Sequence, residues 1–73
     1  MTQATSLART IIVNGDAVAT QAGTLAELVA ELGHTGKRIA TARNGDFVPE
    51  RARMATPLEG GDRIEIVSPR HGG

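Results

Sequence analysis

The segment TLAELVAELG (24–33) is the most informative part of the sequence, because it carries the clearest helical pattern in the chain. Thr24 and Glu27 are three residues apart and predict a capping box, in which each side chain accepts a backbone N–H at the helix start. Gly33 suits the left-handed conformation that ends many helices. The apolar residues at i, i+3, i+4 and i+7 form one stripe: Leu25, Leu28, Val29 and Leu32. The segment therefore predicts one amphipathic helix that buries a single face.

Strand-like segments lie on both sides of this helix. TIIVNGDAVAT (10–20) and RIATARNGDFVP (38–49) each hold an Asn-Gly-Asp turn between two extended runs. Asn-Gly is the strongest local signal for a hairpin, because a type I′ turn requires positive φ at both central residues. RIEIV (63–67) follows a Gly-Gly-Asp turn and alternates as a strand does. These patterns predict about five strands.

The segments between and within these strands give further expectations. Small side chains allow close packing, so we expect Ala40 and Ala42 to face the helix. The alternate residues Ile39, Thr41 and Arg43 then face the other way. One helical turn is expected around residues 51–54, and Leu58 is expected to anchor the following irregular segment in the core.

The order of elements predicts an α+β fold with one main helix on one face of a mixed sheet. The first and last strands are the most β-branched and are expected to pair in the centre, as in a ubiquitin-like β-grasp. Residues 10–67 form this domain. Residues 1–9 are expected to be a flexible leader and residues 68–73 a flexible tail.

The sheet face away from the helix is predicted to be a docking surface. Ile12 and Val67 should lie there, with Ile39 or Phe47 beside them, as an apolar patch within a charged rim. The candidate docking residues on this face and the tail are Ile12, Arg43, Arg63, Val67, Arg70 and His71.

Composition excludes several classes of function. The chain has no cysteine, which rules out disulfides and thiolate metal sites, and His34 and His71 lack metal-ligand spacing. Eight basic and eight acidic residues with one aromatic residue argue against a nucleic-acid partner. No apolar run is long enough for a membrane span or a signal peptide. We expect a cytoplasmic protein that is monomeric when free and binds no metal or cofactor.

The side chains form no catalytic constellation, so we expect no catalytic residues of its own. Glu27 and Glu31 are interpreted as the solvated face of the helix, and neither serine has a nearby His and acid. The sequence ends in Gly72-Gly73, which is either a ragged end or a reactive carboxylate on a flexible arm. Two residues without Cβ can thread a narrow channel into an active site where the carboxylate is activated, for instance as an acyl-adenylate.

Several segments, in order, resemble the sulfur carrier proteins of thiamine thiazole biosynthesis, the ThiS family. They are IIVNG, TLAELVAELG, IATARNGDFVP, TPLEGGDRIEIV and the terminal GG, which together span about residues 10–73. The resemblance implies a ubiquitin-like carrier in which Gly73 bears the sulfur and Gly72 gives access.

The resemblance also implies how such a carrier works. An E1-like enzyme adenylates the last glycine with ATP and magnesium, and a cysteine-derived persulfide converts the adenylate to a thiocarboxylate. The thiocarboxylate then delivers sulfur to thiazole synthase. The carrier is thus expected to be a protein cosubstrate without independent catalysis.

Two alternatives stay open from the sequence. One is a carrier for another pathway, such as the small subunit of molybdopterin synthase or a ubiquitin-like modifier. The other is a non-reactive β-grasp binding module in which Gly-Gly is incidental.

Overall fold

A computed structural model describes residues 8–36 and 38–68 of the chain. In these ranges the elements are β1 (Arg9–Val13), β2 (Asp16–Thr20), α1 (Leu25–Glu31), β3 (Ala40–Arg43), β4 (Asp46–Val48), the 3₁₀ helix Glu50–Ala55 and β5 (Arg63–Val67). Strand β1 begins at Arg9, one residue earlier than predicted. Most of the predicted leader, residues 1–7, and the tail from residue 69 lie outside the described residues.

The strands form one sheet in the order β2-β1-β5-β3-β4. Strands β1 and β5 are parallel, whereas the other neighbouring strands are antiparallel. The first and last strands of the sheet therefore pair in its interior, and the predicted α+β, β-grasp arrangement is confirmed. Neither helix in the described ranges has the length and apolar character needed to cross a membrane.

Both predicted hairpin turns are confirmed by their backbone angles. Asn14 has φ 50° and Gly15 has φ 91°, while Asn44 has φ 52° and Gly45 has φ 89°. Asparagine tolerates the left-handed region better than most residues, and glycine adopts it without steric cost. The two Asn-Gly pairs therefore give the two hairpins the same geometry.

The helix begins as the capping motif predicts, with a small shift. The backbone N–H of Glu27 donates to Oγ1 of Thr24 at 3.2 Å. Oε1 of Glu27 accepts the N–H of Gly23 at 2.6 Å, one residue before the predicted partner. At the other end the helix stops at Glu31, so Leu32 lies at the cap and is 36% exposed. Its predicted place in the buried stripe is wrong.

The core lies between α1 and one face of the sheet. Its buried members are Ile11, Val13, Ala22, Leu25, Leu28, Val29, Val48, Leu58, Ile64 and Ile66. The burial of Leu58 is confirmed. Helical structure near residues 51–54 is confirmed as well, and it extends over the six residues of the 3₁₀ helix, about two turns.

The predicted faces of β3 are wrong by one residue. Thr41 is 2% exposed and pairs with two buried residues, Val48 and Ile66. Its hydroxyl donates to the carbonyl of Val48 at 2.8 Å and accepts from Nε of Arg53 at 3.0 Å. These bonds satisfy the hydroxyl and allow a polar side chain to be buried. Consequently the alanines of β3 lie on the uncovered face.

Candidate docking surface and chain exit

The central strand β5 is held on one side by the side chain of Asn14. Backbone pairing of β1 with β5 ends when the N–H of Asn14 donates to the carbonyl of Ile64 at 2.9 Å. The carboxamide of Asn14 then continues the pairing, because Oδ1 accepts the N–H of Ile66 at 2.9 Å and Nδ2 donates to its carbonyl at 3.0 Å. A side chain thus takes the place of the next strand residue and supports β5 almost to its end.

Asn44 supports the start of β5 in a similar way, from the other side of the strand. Its N–H donates to the carbonyl of Arg63 at 2.7 Å, and Oδ1 accepts the N–H of Arg63 at 2.9 Å. Nδ2 donates to Oδ1 of Asp62 at 3.0 Å. The two hairpin turns therefore clamp the strand from which the chain passes to residue 68 and the tail.

Asp62 is the buried anion of this arrangement. It is 6% exposed. Nε of Arg43 donates to its Oδ2 at 2.8 Å, and the N–H of Glu59 donates to the same oxygen at 2.8 Å. Burial by itself raises the pKa of Asp62, but the hydrogen bonds from Arg43, Asn44 and Glu59 outweigh it, and the pKa lies below its ordinary value. The bond to Asp62 raises the pKa of Arg43, which agrees with this direction.

We expect the lowered pKa of Asp62 to make the protein acid-sensitive. A carboxylate whose pKa is depressed by folding contributes stability that is complete above the unfolded value, about 4, and is lost as the pH falls through the folded pKa. The free energy of unfolding should therefore fall as the pH drops below about 4, and less so in Asp62→Asn. Urea unfolding at a series of pH values measures this slope. Equal slopes for both proteins would contradict the assignment to Asp62.

Arg43 does not lie on the uncovered face where it was predicted. Arg43 lies on the same face of β3 as Thr41. Its guanidinium is bound to Asp62, and its side chain is 27% exposed. The physical reason is the burial of Thr41, whose hydroxyl is satisfied by Val48 and Arg53, because it places alternate residues of β3, Arg43 among them, on the helix side. A role for Arg43 in docking stays a prediction, but its charge is already used within the fold.

Three other predicted docking residues come together. Ile12, Arg63 and Val67 line one open groove of about 570 Å³ beside the Asn14 turn. Val67 is 57% exposed and Phe47, on the same sheet face, is 69% exposed. By strand register, the other residues of this uncovered face are Thr10, Ala17, Ala19, Ala40, Ala42 and Glu65. An apolar strip with charges of both signs thus runs across the sheet.

We expect charge reversal to weaken docking at Arg63 and to lower stability at Arg43. Arg63 is exposed and its side chain has no ion pair among the described residues, so reversal should leave stability within about 0.5 kcal/mol and weaken docking. Arg43→Glu places a second carboxylate beside Asp62 and should cost about 2 kcal/mol or more. Thermal unfolding and partner affinity, measured on both variants, separate the two effects. Equal unfolding temperatures would contradict the role of the Arg43–Asp62 pair.

The alternation of residues in β5 indicates the face on which Val67 lies, but the two asparagine clamps were missed. Their sequence signal is the repeated Asn-Gly, which indicates a turn and not the partner of its side chain. Gly72, Gly73, Arg70 and His71 lie outside the described residues, so their predicted roles are not tested. Within the described residues, no three His, Asp or Glu side chains cluster as a metal site.

The comparisons with known proteins agree with this fold. The model of the ThiS family matches residues 7–73. The chain belongs to the ThiS family. The predicted resemblance to these sulfur carriers is therefore confirmed.

A solved structure similar to this ThiS-family chain is the thiamine biosynthesis protein ThiS from Geobacter metallireducens. The two share 25% identity with a TM-score of 0.72, over 88% of this chain and 99% of the other. Comparison with curated proteins gives no significant match. In residues 8–36 and 38–68, the five-stranded sheet and the one α-helix are thus those of a ThiS-type carrier.

Proposed function

We propose that this ThiS-family chain carries sulfur for thiamine biosynthesis on the carboxyl group of Gly73. The observation that carries the proposal is the family match, which runs from residue 7 through Gly72 and Gly73. The name of the similar Geobacter protein, a thiamine biosynthesis protein, supports the pathway. The clamped central strand supports the geometry, because it gives the tail a fixed point of departure at residue 68.

The chemistry begins with activation, because a carboxylate is a poor electrophile. A carboxylate oxygen of Gly73 attacks ATP in the active site of an E1-like adenylating enzyme, releasing pyrophosphate and leaving an acyl-adenylate. A persulfide sulfur then displaces AMP, and reductive cleavage of the resulting sulfur–sulfur bond by a thiol leaves the thiocarboxylate. Magnesium and ATP are bound by the partner enzyme. The carrier itself is a cosubstrate, monomeric when free, in the cytoplasm.

The composition and surface of the carrier support a role in which partner enzymes carry out the chemistry. The chain has no cysteine, so no thiol of its own competes for the activated carboxyl group. The uncovered face, with Ile12, Arg63 and Val67 beside the chain exit, gives the adenylating enzyme and thiazole synthase a surface to hold while the tail enters. Tail and docking surface therefore act together.

Intact-mass measurement tests the proposal. The full chain is incubated with the adenylating enzyme of its own organism, ATP, magnesium, a persulfide donor and a thiol reductant. We expect a mass gain that corresponds to one sulfur replacing one oxygen, and its loss when ATP is omitted. If the mass of this chain stays unchanged while the same enzyme preparation is active on another carrier protein, a non-reactive binding module is favoured. Transfer of the sulfur to thiazole synthase, and not to a pterin substrate, identifies the pathway.

A further inference from the structure

A second groove lies on the helix side of the molecule, between α1 and the 3₁₀ helix. We call it the basic groove and define it by Val29, His34, Arg38, Glu50, Arg53 and Met54, which line a space of about 520 Å³. It is separate from the groove on the uncovered face, with which it shares no lining residue.

Arg53 is the innermost charge of the basic groove. It is 9% exposed, and its guanidinium donates to Oγ1 of Thr41 at 3.0 Å and to the carbonyl of Ile39 at 2.9 Å. Both acceptors are neutral. Among residues 8–36 and 38–68, the ion pair that the structure shows joins Arg43 to Asp62, so Arg53 has no described counterion. A buried charge without a counterion is costly, and a guanidinium offers five donors that suit a carboxylate.

The surroundings of Arg53 add to this preference. Arg38 is exposed at the rim, and Glu50 is the acidic residue among the lining residues. Counting Arg38 and Arg53 against Glu50, with His34 neutral, the lining carries a formal charge of +1. Met54 is 79% exposed beside these cations. A ligand with a carboxylate next to an apolar surface matches this lining better than a small hydrated anion.

The basic groove also lies near the chain exit. Arg53 binds the carbonyl of Ile39, and the next residue, Ala40, pairs with Val67 at the end of β5. The groove therefore begins at the end of the sheet from which the chain continues to residue 68. A protein that receives the tail must approach this same end.

We propose that the basic groove binds a carboxylate side chain of the adenylating enzyme that receives the tail. This inference rests on the proposed function, since it requires such an enzyme. The carboxylate pairs with Arg53 and Arg38, and an apolar neighbour on the enzyme covers Met54. The groove thus provides a contact that is independent of the uncovered sheet face.

Isothermal titration of the full-length carrier with the adenylating enzyme of its own organism tests this proposal. Arg38→Glu should weaken binding about tenfold, whereas Glu50→Gln, which removes the acidic residue of the lining, should strengthen it about threefold. Arg51→Glu is the matched control: Arg51 is exposed on the same 3₁₀ helix but does not line the basic groove, and its reversal should change affinity less than twofold. All three positions are exposed, so folding is expected to be retained.

The gain of sulfur is measured by intact mass on the same samples as the affinity. The two measurements together distinguish failure of the groove contact from failure of the proposed function. Wild-type binding with sulfur gain, but equal affinities for Arg38→Glu and Arg51→Glu, would overturn the groove contact alone. Absence of both binding and sulfur gain would overturn both proposals. If inorganic phosphate shifts the NMR signals of the groove residues while Arg38→Glu leaves enzyme affinity unchanged, the groove is a small-anion site and the proposal fails.

Discussion

Deletion of Gly72 and Gly73 is expected to abolish formation of the thiocarboxylate while leaving the unfolding temperature of the protein unchanged. The core residues that the structure describes lie between Ile11 and Ile66, and the deletion removes none of them. The new chain end would be His71, whose Cβ and imidazole ring obstruct a channel that admits glycine. Intact mass after incubation with the adenylating enzyme and ATP measures thiocarboxylate formation, and calorimetry measures the unfolding temperature.

Deletion of Thr2 and Gln3 is the matched control, because it also removes two residues that lie outside the described ranges. This shorter chain should gain sulfur at the wild-type rate. A carrier without Gly72 and Gly73 that still gains sulfur would contradict the proposed site. A large drop in unfolding temperature would show that the tail contributes to the fold.

Asp62→Ala is expected to have the largest effect on stability of any charged residue in the described chain. The substitution leaves Arg43, Asn44 and the N–H of Glu59 without their shared acceptor. Loss of several hydrogen bonds to one buried anion should cost about 3 kcal/mol. The free energy of unfolding of a domain of this size is only about 4–11 kcal/mol, so this substitution would remove a large part of it. Urea unfolding measures the difference.

Asp16→Ala provides the comparison, since Asp16 follows Asn14-Gly15 in the other hairpin and is exposed. Its effect should stay within about 0.5 kcal/mol. Similar losses for the two variants would show that the buried network around Asp62 contributes nothing beyond an ordinary surface aspartate. Loss of docking in Asp62→Ala at a temperature where it is folded would indicate that β5 and its exit have moved.

Local sequence was sufficient for the parts of this fold whose cause is local. The Asn-Gly pairs predicted both hairpins, because few residues other than asparagine and glycine accept the required positive φ. Thr24 and Glu27 predicted the start of the helix, because its first N–H groups are capped by nearby side chains. The Ile64 and Ile66 alternation predicted the buried face of β5.

The candidate site could be predicted only in part. Ile12, Arg63 and Val67 were placed correctly. Arg63 and Val67 belong to β5, whose residues alternate clearly, whereas Ile12 lies in a continuous β-branched run of β1 that does not alternate. In β3 the alternating residues are alanine, threonine and arginine, and size alone favoured the wrong face. The hydroxyl of Thr41 is buried because Val48 and Arg53 satisfy it, and those partners are distant in sequence.

The two turns, the start of the helix, the succession of elements along the chain and the resemblance to the family could therefore all be inferred from the amino-acid sequence. Three features became visible only in the folded chain: which face of β3 is buried, the pairing of Arg43 with Asp62, and the clamping of the central strand by the side chains of Asn14 and Asn44. The folded chain also places Arg53 in the interior without an acidic partner among the described residues. The physical reason is the range of the interactions: capping and turn geometry act within a few residues, whereas the partners of buried polar groups are brought together only by the folded sheet.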